Sequence, residues 1–177
     1  IDNERIGEAV GLLREGLETQ SDKREIDGAL GSVLYSQSKY REAIPHLKAA
    51  IEVPGADVVM RDRLIESYLR TQQFDKGRRE LAALKEIGGR PFEVAMLEAF
   101  LSERESSIAG ARGDAVAEKA AIDNYRSRLR DAIRIDVDQS RPYELLSRSL
   151  LSEYIRTRDQ RLLDEAESIL QGAGVMA

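Results

Sequence analysis

Cysteine and tryptophan are absent from this 177-residue chain, and histidine occurs once, at His46. Without cysteine there can be no disulfide, no thiolate zinc site and no cysteine nucleophile. A single histidine excludes multi-histidine metal sites. Threonine appears three times and aromatic residues make up 5% of the chain, so two kinds of strand former are sparse. No run of about 18 apolar residues occurs, so no transmembrane helix is expected, and no signal peptide is visible at the start. Basic charge is not in excess either: the formal net charge is -5. That leaves nothing overall to hold a polyphosphate backbone.

What is present favours helix. Leucine and alanine number 20 each, and both are strong helix formers. Hydrophobic residues reach 42%, enough to fill a core. Leu30, Val33 and Leu34 follow helical spacing, and no window alternates as a strand does. Pro91 and Pro142 read as helix starts and Pro54-Gly55 as a stop, whereas Pro45 falls inside a helix and should remove one backbone hydrogen bond. Nine helices are predicted, near 3–19, 22–36, 39–53, 57–71, 74–87, 91–111, 114–136, 140–157 and 159–171. The expected N-caps are Asp22, Ser38, Asp57, Asp114, Ser140 and Asp159. The short loops between helices require antiparallel neighbours. The chain opens Ile1-Asp2-Asn3 without an initiator methionine, which suggests a piece of a longer protein.

A period organises the first half. Ala9, Ala43 and Gly77 are 34 residues apart, as are Leu13, Leu47 and Leu81, and Gly16, Ala50 and Leu84. Leu30 and Leu64 keep this step, as do Tyr40 and Phe74. Small residues let two helices approach, and the leucine between them fills the gap. A unit repeating this must stack on its neighbours to bury its apolar face. Beyond residue 91 the step lengthens: Leu129 and Ala132 follow Leu81 and Leu84 by 48 residues. The excess fits about two extra turns in each helix of the third hairpin. Ala166, Leu170 and Ala173 repeat the small-large-small pattern at the end.

Leu30-Gly31-Ser32-Val33-Leu34-Tyr35, then Tyr40-Arg41-Glu42-Ala43-Ile44 and Pro54, resemble the two helices and closing proline of the tetratricopeptide repeat. Residues 24–57 and 58–91 match as full repeats, 3–19 match a second helix alone, and 92–139 and 140–173 read as extended hairpins. The second repeat departs in having Ile65 and Gly77 where the family usually has Gly and Ala. The expected fold is all-α: one right-handed α-solenoid of antiparallel helix hairpins spanning 1–177. The resemblance implies a non-catalytic scaffold that binds a peptide or helix of a partner protein in a concave groove lined by first helices. Its groove residues would be Glu25, Gly28, Ser32, Tyr35 and Ser36, then Val59, Asp62, Glu66, Leu69 and Arg70. The family's carboxylate clamp uses Lys and Asn. The matching places here hold Gly28, Ser32, Asp62 and Arg63, so that clamp is absent.

No catalytic, cofactor or metal constellation is legible. His46 reads as a helix-edge histidine, and Gly28-Ala29-Leu30-Gly31 lacks the ending of a phosphate loop. Gly7 and Gly11, four residues apart in a charged helix, suggest close packing. Residues 124–162 hold nine Arg against six acids, while residues 1–30 hold eight acids against four bases. That asymmetry keeps an RNA-binding repeat as the alternative. An accessory or assembly domain of a larger enzyme or secretion complex is a further one. Exposed terminal hairpins offer a route to self-association.

Overall fold

A computed structural model describes residues 3–19, 23–52 and 58–174. Among them are nine α-helices and no strand: α1 (Asn3–Thr19), α2 (Arg24–Ser36), α3 (Tyr40–Ile51), α4 (Val58–Arg70), α5 (Phe74–Glu86), α6 (Pro91–Ala111), α7 (Ala115–Ile135), α8 (Ser140–Thr157) and α9 (Gln160–Gly174). The bounds lie within a few residues of those expected from apolar spacing. Two compact units make up the chain, Ile1–Gly89 and Arg90–Ala177.

In the first unit each helix packs on its sequence neighbour, and α2 also touches α4. The 34-residue recurrence is in part a recurrence of burial, with Ala9, Leu13, Gly16 and Ala50 only half-buried. Leu30, Leu64, Ala43, Leu47 and Leu84 have no exposed surface, and Leu81 is buried. Leu30, Leu34, Ala43, Leu47, Leu64 and Tyr68 form one continuous core with Val10 and Ile51. Each buried leucine contributes about 1.5–3 kcal/mol. Gly31 sets the spacing of α2 and α3: a Cβ there would lie 2.9 Å from Leu47 Cγ and 3.0 Å from the Leu47 nitrogen. Gly7 and Gly11, by contrast, have nothing within 4 Å of a virtual Cβ, so the close packing expected of that pair is not made. The helix α3 continues through Pro45.

The second unit is built of longer pieces. Both α6 and α7 have 21 residues, against 13 in α4 and in α5. The excess is close to the two turns expected. Its core joins Ala95, Met96 and Ala99 to Tyr125, Leu129, Ala132, Leu146, Leu150 and Ala166. One expectation fails at the end: Ala166 is buried, but Leu170 is 46% exposed, because no described helix covers that side of α9. The Ala173 side chain lies outside the described residues.

The first helix of each hairpin ends on a residue in the left-handed region: Ser38 (φ 59°), Gln72 (φ 62°), Gly113 (φ 71°) and Arg158 (φ 60°). The N–H after the turn residue bonds back to a carbonyl of the last helical turn, as in Lys39 to Leu34 (2.9 Å), Gln73 to Tyr68 (2.8 Å) and Asp114 to Ala109 (3.0 Å). Ser38 is therefore a helix stop and not the N-cap its residue type suggested. Ser140 also differs, being the first residue of α8, with Gln139 before it making no side-chain cap bond. Asp114 and Asp159 do cap, accepting from the N–H groups of Ala117 (3.0 Å) and Arg161 (3.1 Å). Asp22 and Asp57 lie outside the described residues.

Candidate functional site

The expected groove residues of the first unit fall on α2 and α4, whose side chains meet. Ser32 Oγ donates to the Gly28 carbonyl (2.6 Å) and receives Arg63 Nη1 (2.6 Å). It also lies 3.3 Å from Met60 Sδ. Tyr35 donates its hydroxyl to Glu66 Oε2, and Arg70 closes on Glu66 Oε1 at 3.1 Å. The Arg63 guanidinium stands 5.8 Å from the Tyr35 ring centre and that of Arg70 5.9 Å from the Tyr40 ring. Tyr35 and Tyr40 meet edge to face at 5.7 Å. Burial, and then the Glu66 carboxylate, push the Tyr35 hydroxyl well above its ordinary value.

This wall is largely occupied by its own side chains. Glu25, Ser36 and Arg70 are exposed, and Ser32, Tyr35, Val59, Asp62 and Glu66 are half-buried. Gly28 and Leu69 are buried. Leu69 turns away from the expected groove, since a Cβ on Gly77 would lie 3.0 Å from its Cδ2. His46 Nδ1 pairs with Asp27 Oδ1 at 2.7 Å, tying α3 to α2.

An open cleft lies in the second unit, with a volume of about 480 Å³. Glu103 and Ser106 of α6 line it, together with Glu118, Ile122, Tyr125 and Arg126 of α7. Leu145, Arg148, Ser149, Ser152, Glu153 and Arg156 of α8 complete it. Arg126 is 6% exposed. It is held by Glu153 Oε2 (2.5 Å), Ser149 Oγ (3.0 Å) and the Ser149 carbonyl (2.8 Å), so its charge is neutralised within the wall. Burial followed by the charge of Glu103 raises the Tyr125 hydroxyl above its ordinary value, with Arg148 acting in the opposite sense. The lining also carries Arg148 and Arg156 on α8, Glu103 on α6 and Glu118 on α7.

The register of this cleft repeats that of α2. Counted back from the turn residue Arg158, Leu145, Arg148, Ser152 and Arg156 stand thirteen, ten, six and two residues away. Those are the distances of Glu25, Gly28, Ser32 and Ser36 from Ser38. The family resemblance named such positions in the first unit and none in the second, because the longer hairpin breaks the 34-residue step. The turn residue was the usable marker, and arginine at a left-handed position conceals it.

The arginine-rich stretch is mostly engaged. Arg126 pairs with Glu153, Arg128 with Glu98 and Asp131, Arg130 with Glu165, and Arg134 with Asp131. Arg141 and Arg158 stack near Phe100 and Tyr154. Among the described residues no group of three or more His, Asp or Glu is placed to hold a metal ion. No described helix is long and apolar enough to cross a membrane. Among the described residues the fold is all-α. No protein-family model matches the chain, and no curated protein is detectably similar to it.

Proposed function

We propose that this chain is a non-catalytic, tetratricopeptide-like α-solenoid scaffold that holds a peptide or helix of a partner protein against its first-of-pair helices. One observation carries the reading: the register expected of a groove in α2 recurs in α8, where four of its positions line an open cleft. The 34-residue recurrence of buried leucines supports the family resemblance. The cleft carries both signs of charge, which suits a peptide with an acidic residue toward Arg148 and Arg156 and a basic one toward Glu103. The pairing of Arg126, Arg128, Arg130 and Arg134 with carboxylates favours a protein partner over RNA.

Displayed random peptides selected on the wild-type chain test this. Selected binders should carry both charges and lose at least about tenfold in affinity, about 1.4 kcal/mol, on the Arg148→Glu, Arg156→Glu chain. Binders that are indifferent to that change and to Glu103→Lys would refute the cleft as the binding surface.

A further inference from the structure

On its α8 wall the cleft carries a stripe of three polar side chains one turn apart, Arg148, Ser152 and Arg156. Each arginine stands four residues from Ser152, about 6 Å of rise, so both guanidinium groups can reach the space above its hydroxyl. All three residues are exposed. They are also left unanswered by the rest of the fold. Among the described residues neither arginine enters an ion pair, whereas Arg126, Arg128, Arg130 and Arg134 all do. Glu153, three residues before Arg156, is taken by the buried Arg126. Ser152 differs from its helical counterparts too. Ser32, Ser67, Thr71 and Thr157 each bond back to the carbonyl four residues earlier, and Ser152 makes no such bond.

We propose that this stripe binds the phosphate of a phosphorylated side chain in the partner peptide, an inference that rests on the cleft being the peptide site. Two guanidinium groups and a hydroxyl offer two positive charges and donors for three oxygens. A phosphomonoester brings three acceptor oxygens and a charge of about -1.5 to -2 at pH 7, and the guanidinium fork matches its oxygens. A carboxylate brings one charge and two oxygens, and would leave one arginine or the hydroxyl without a partner. The other acids of the lining, Glu103 on α6 and Glu118 on α7, repel a phosphate and so confine it to α8. Glu144, four residues before Arg148, is exposed and makes no ion pair with it. The preferred peptide therefore sets its phosphate on α8 and a basic residue toward Glu103.

A degenerate peptide library with phosphoserine at one fixed position, passed over the full chain, tests this. Retained sequences are remade with phosphoserine, glutamate or serine at that position, and their affinities are measured by fluorescence anisotropy. The phosphoserine form should bind at least about tenfold more tightly than the glutamate form. Arg156→Ala should erase that advantage and Ser152→Ala should reduce it, with circular dichroism unchanged because both positions are exposed. Equal affinity of the phosphoserine and glutamate forms, with both lost on the Arg148→Glu, Arg156→Glu chain, would overturn the phosphate site and leave the cleft as the peptide site. Binding of all three forms that is indifferent to that double change would overturn both. Inorganic phosphate that competes as strongly as the phosphopeptide would mean a site for the free ion, which overturns the peptide as its ligand.

Discussion

Two glycines three residues apart in α2 have opposite requirements. At Gly31 an added Cβ meets the Leu47 backbone, which cannot yield, whereas at Gly28 the nearest atoms are Ala50 Cβ and Met60 Cε at 3.7 Å. Gly31→Ala should cost about 1–3 kcal/mol. Gly28→Ala should be neutral or add up to about 1 kcal/mol through helix propensity. Urea midpoints of the two variants decide it, and equal losses would contradict the packing described. Tyr35 offers a second residue-scale test. Its hydroxyl is raised in the fold by burial and by Glu66, so the folded state favours the neutral phenol. That contribution is complete below the unfolded value of about 10 and is lost as pH rises toward and through the higher folded value. Tyr35→Phe should therefore give a shallower loss of stability between about pH 9 and 12 than the wild type. An unchanged alkaline limb would show that Glu66 does not hold the hydroxyl. Sequence alone placed Tyr35 beside Glu66 and Arg70 through the family resemblance. It could not show that the three satisfy one another.

At the scale of elements, the helices were legible because their apolar spacing and their proline and glycine stops agree. The misreadings came at caps. Serine favours N-caps, and Ser38 was read so, yet it holds φ 59° at the end of α2. Tertiary packing of α2 on α3 imposes a left-handed residue there whatever its type, and Gln72 and Arg158 occupy the same station. Relief of that strain gives a prediction: Ser38→Gly and Gln72→Gly should each raise stability by roughly 0.5–1 kcal/mol, read as higher melting temperatures. A fall at either position would mean that the side chain matters more than the turn. Asp114→Ala removes a cap bond that is present and should lower stability by about 1 kcal/mol.

For the whole chain, the repeat was visible where its step is constant and faded where α6 and α7 gain about two turns each. The cleft lies in that second region. Its lining residues are ordinary surface types, and nothing in their spacing along the sequence distinguishes them from a solvated face. Only the fold brings Glu103, Tyr125 and Arg148 together. The buried Arg126–Glu153 pair anchors its α7–α8 wall. Glu153→Gln removes the carboxylate from an arginine with 6% exposure and leaves its two bonds to Ser149, and should cost about 1–3 kcal/mol, whereas replacing both partners by apolar residues should cost less.

A groove on the first helices is decided by which residues a bound peptide touches. Amide chemical-shift mapping of the full chain against a selected peptide gives that answer. Shifts are expected at Glu103, Tyr125, Arg148, Ser152 and Arg156. Shifts confined to the exposed faces of α7 and α9, with those residues silent, would contradict a groove on the first helices of the pairs.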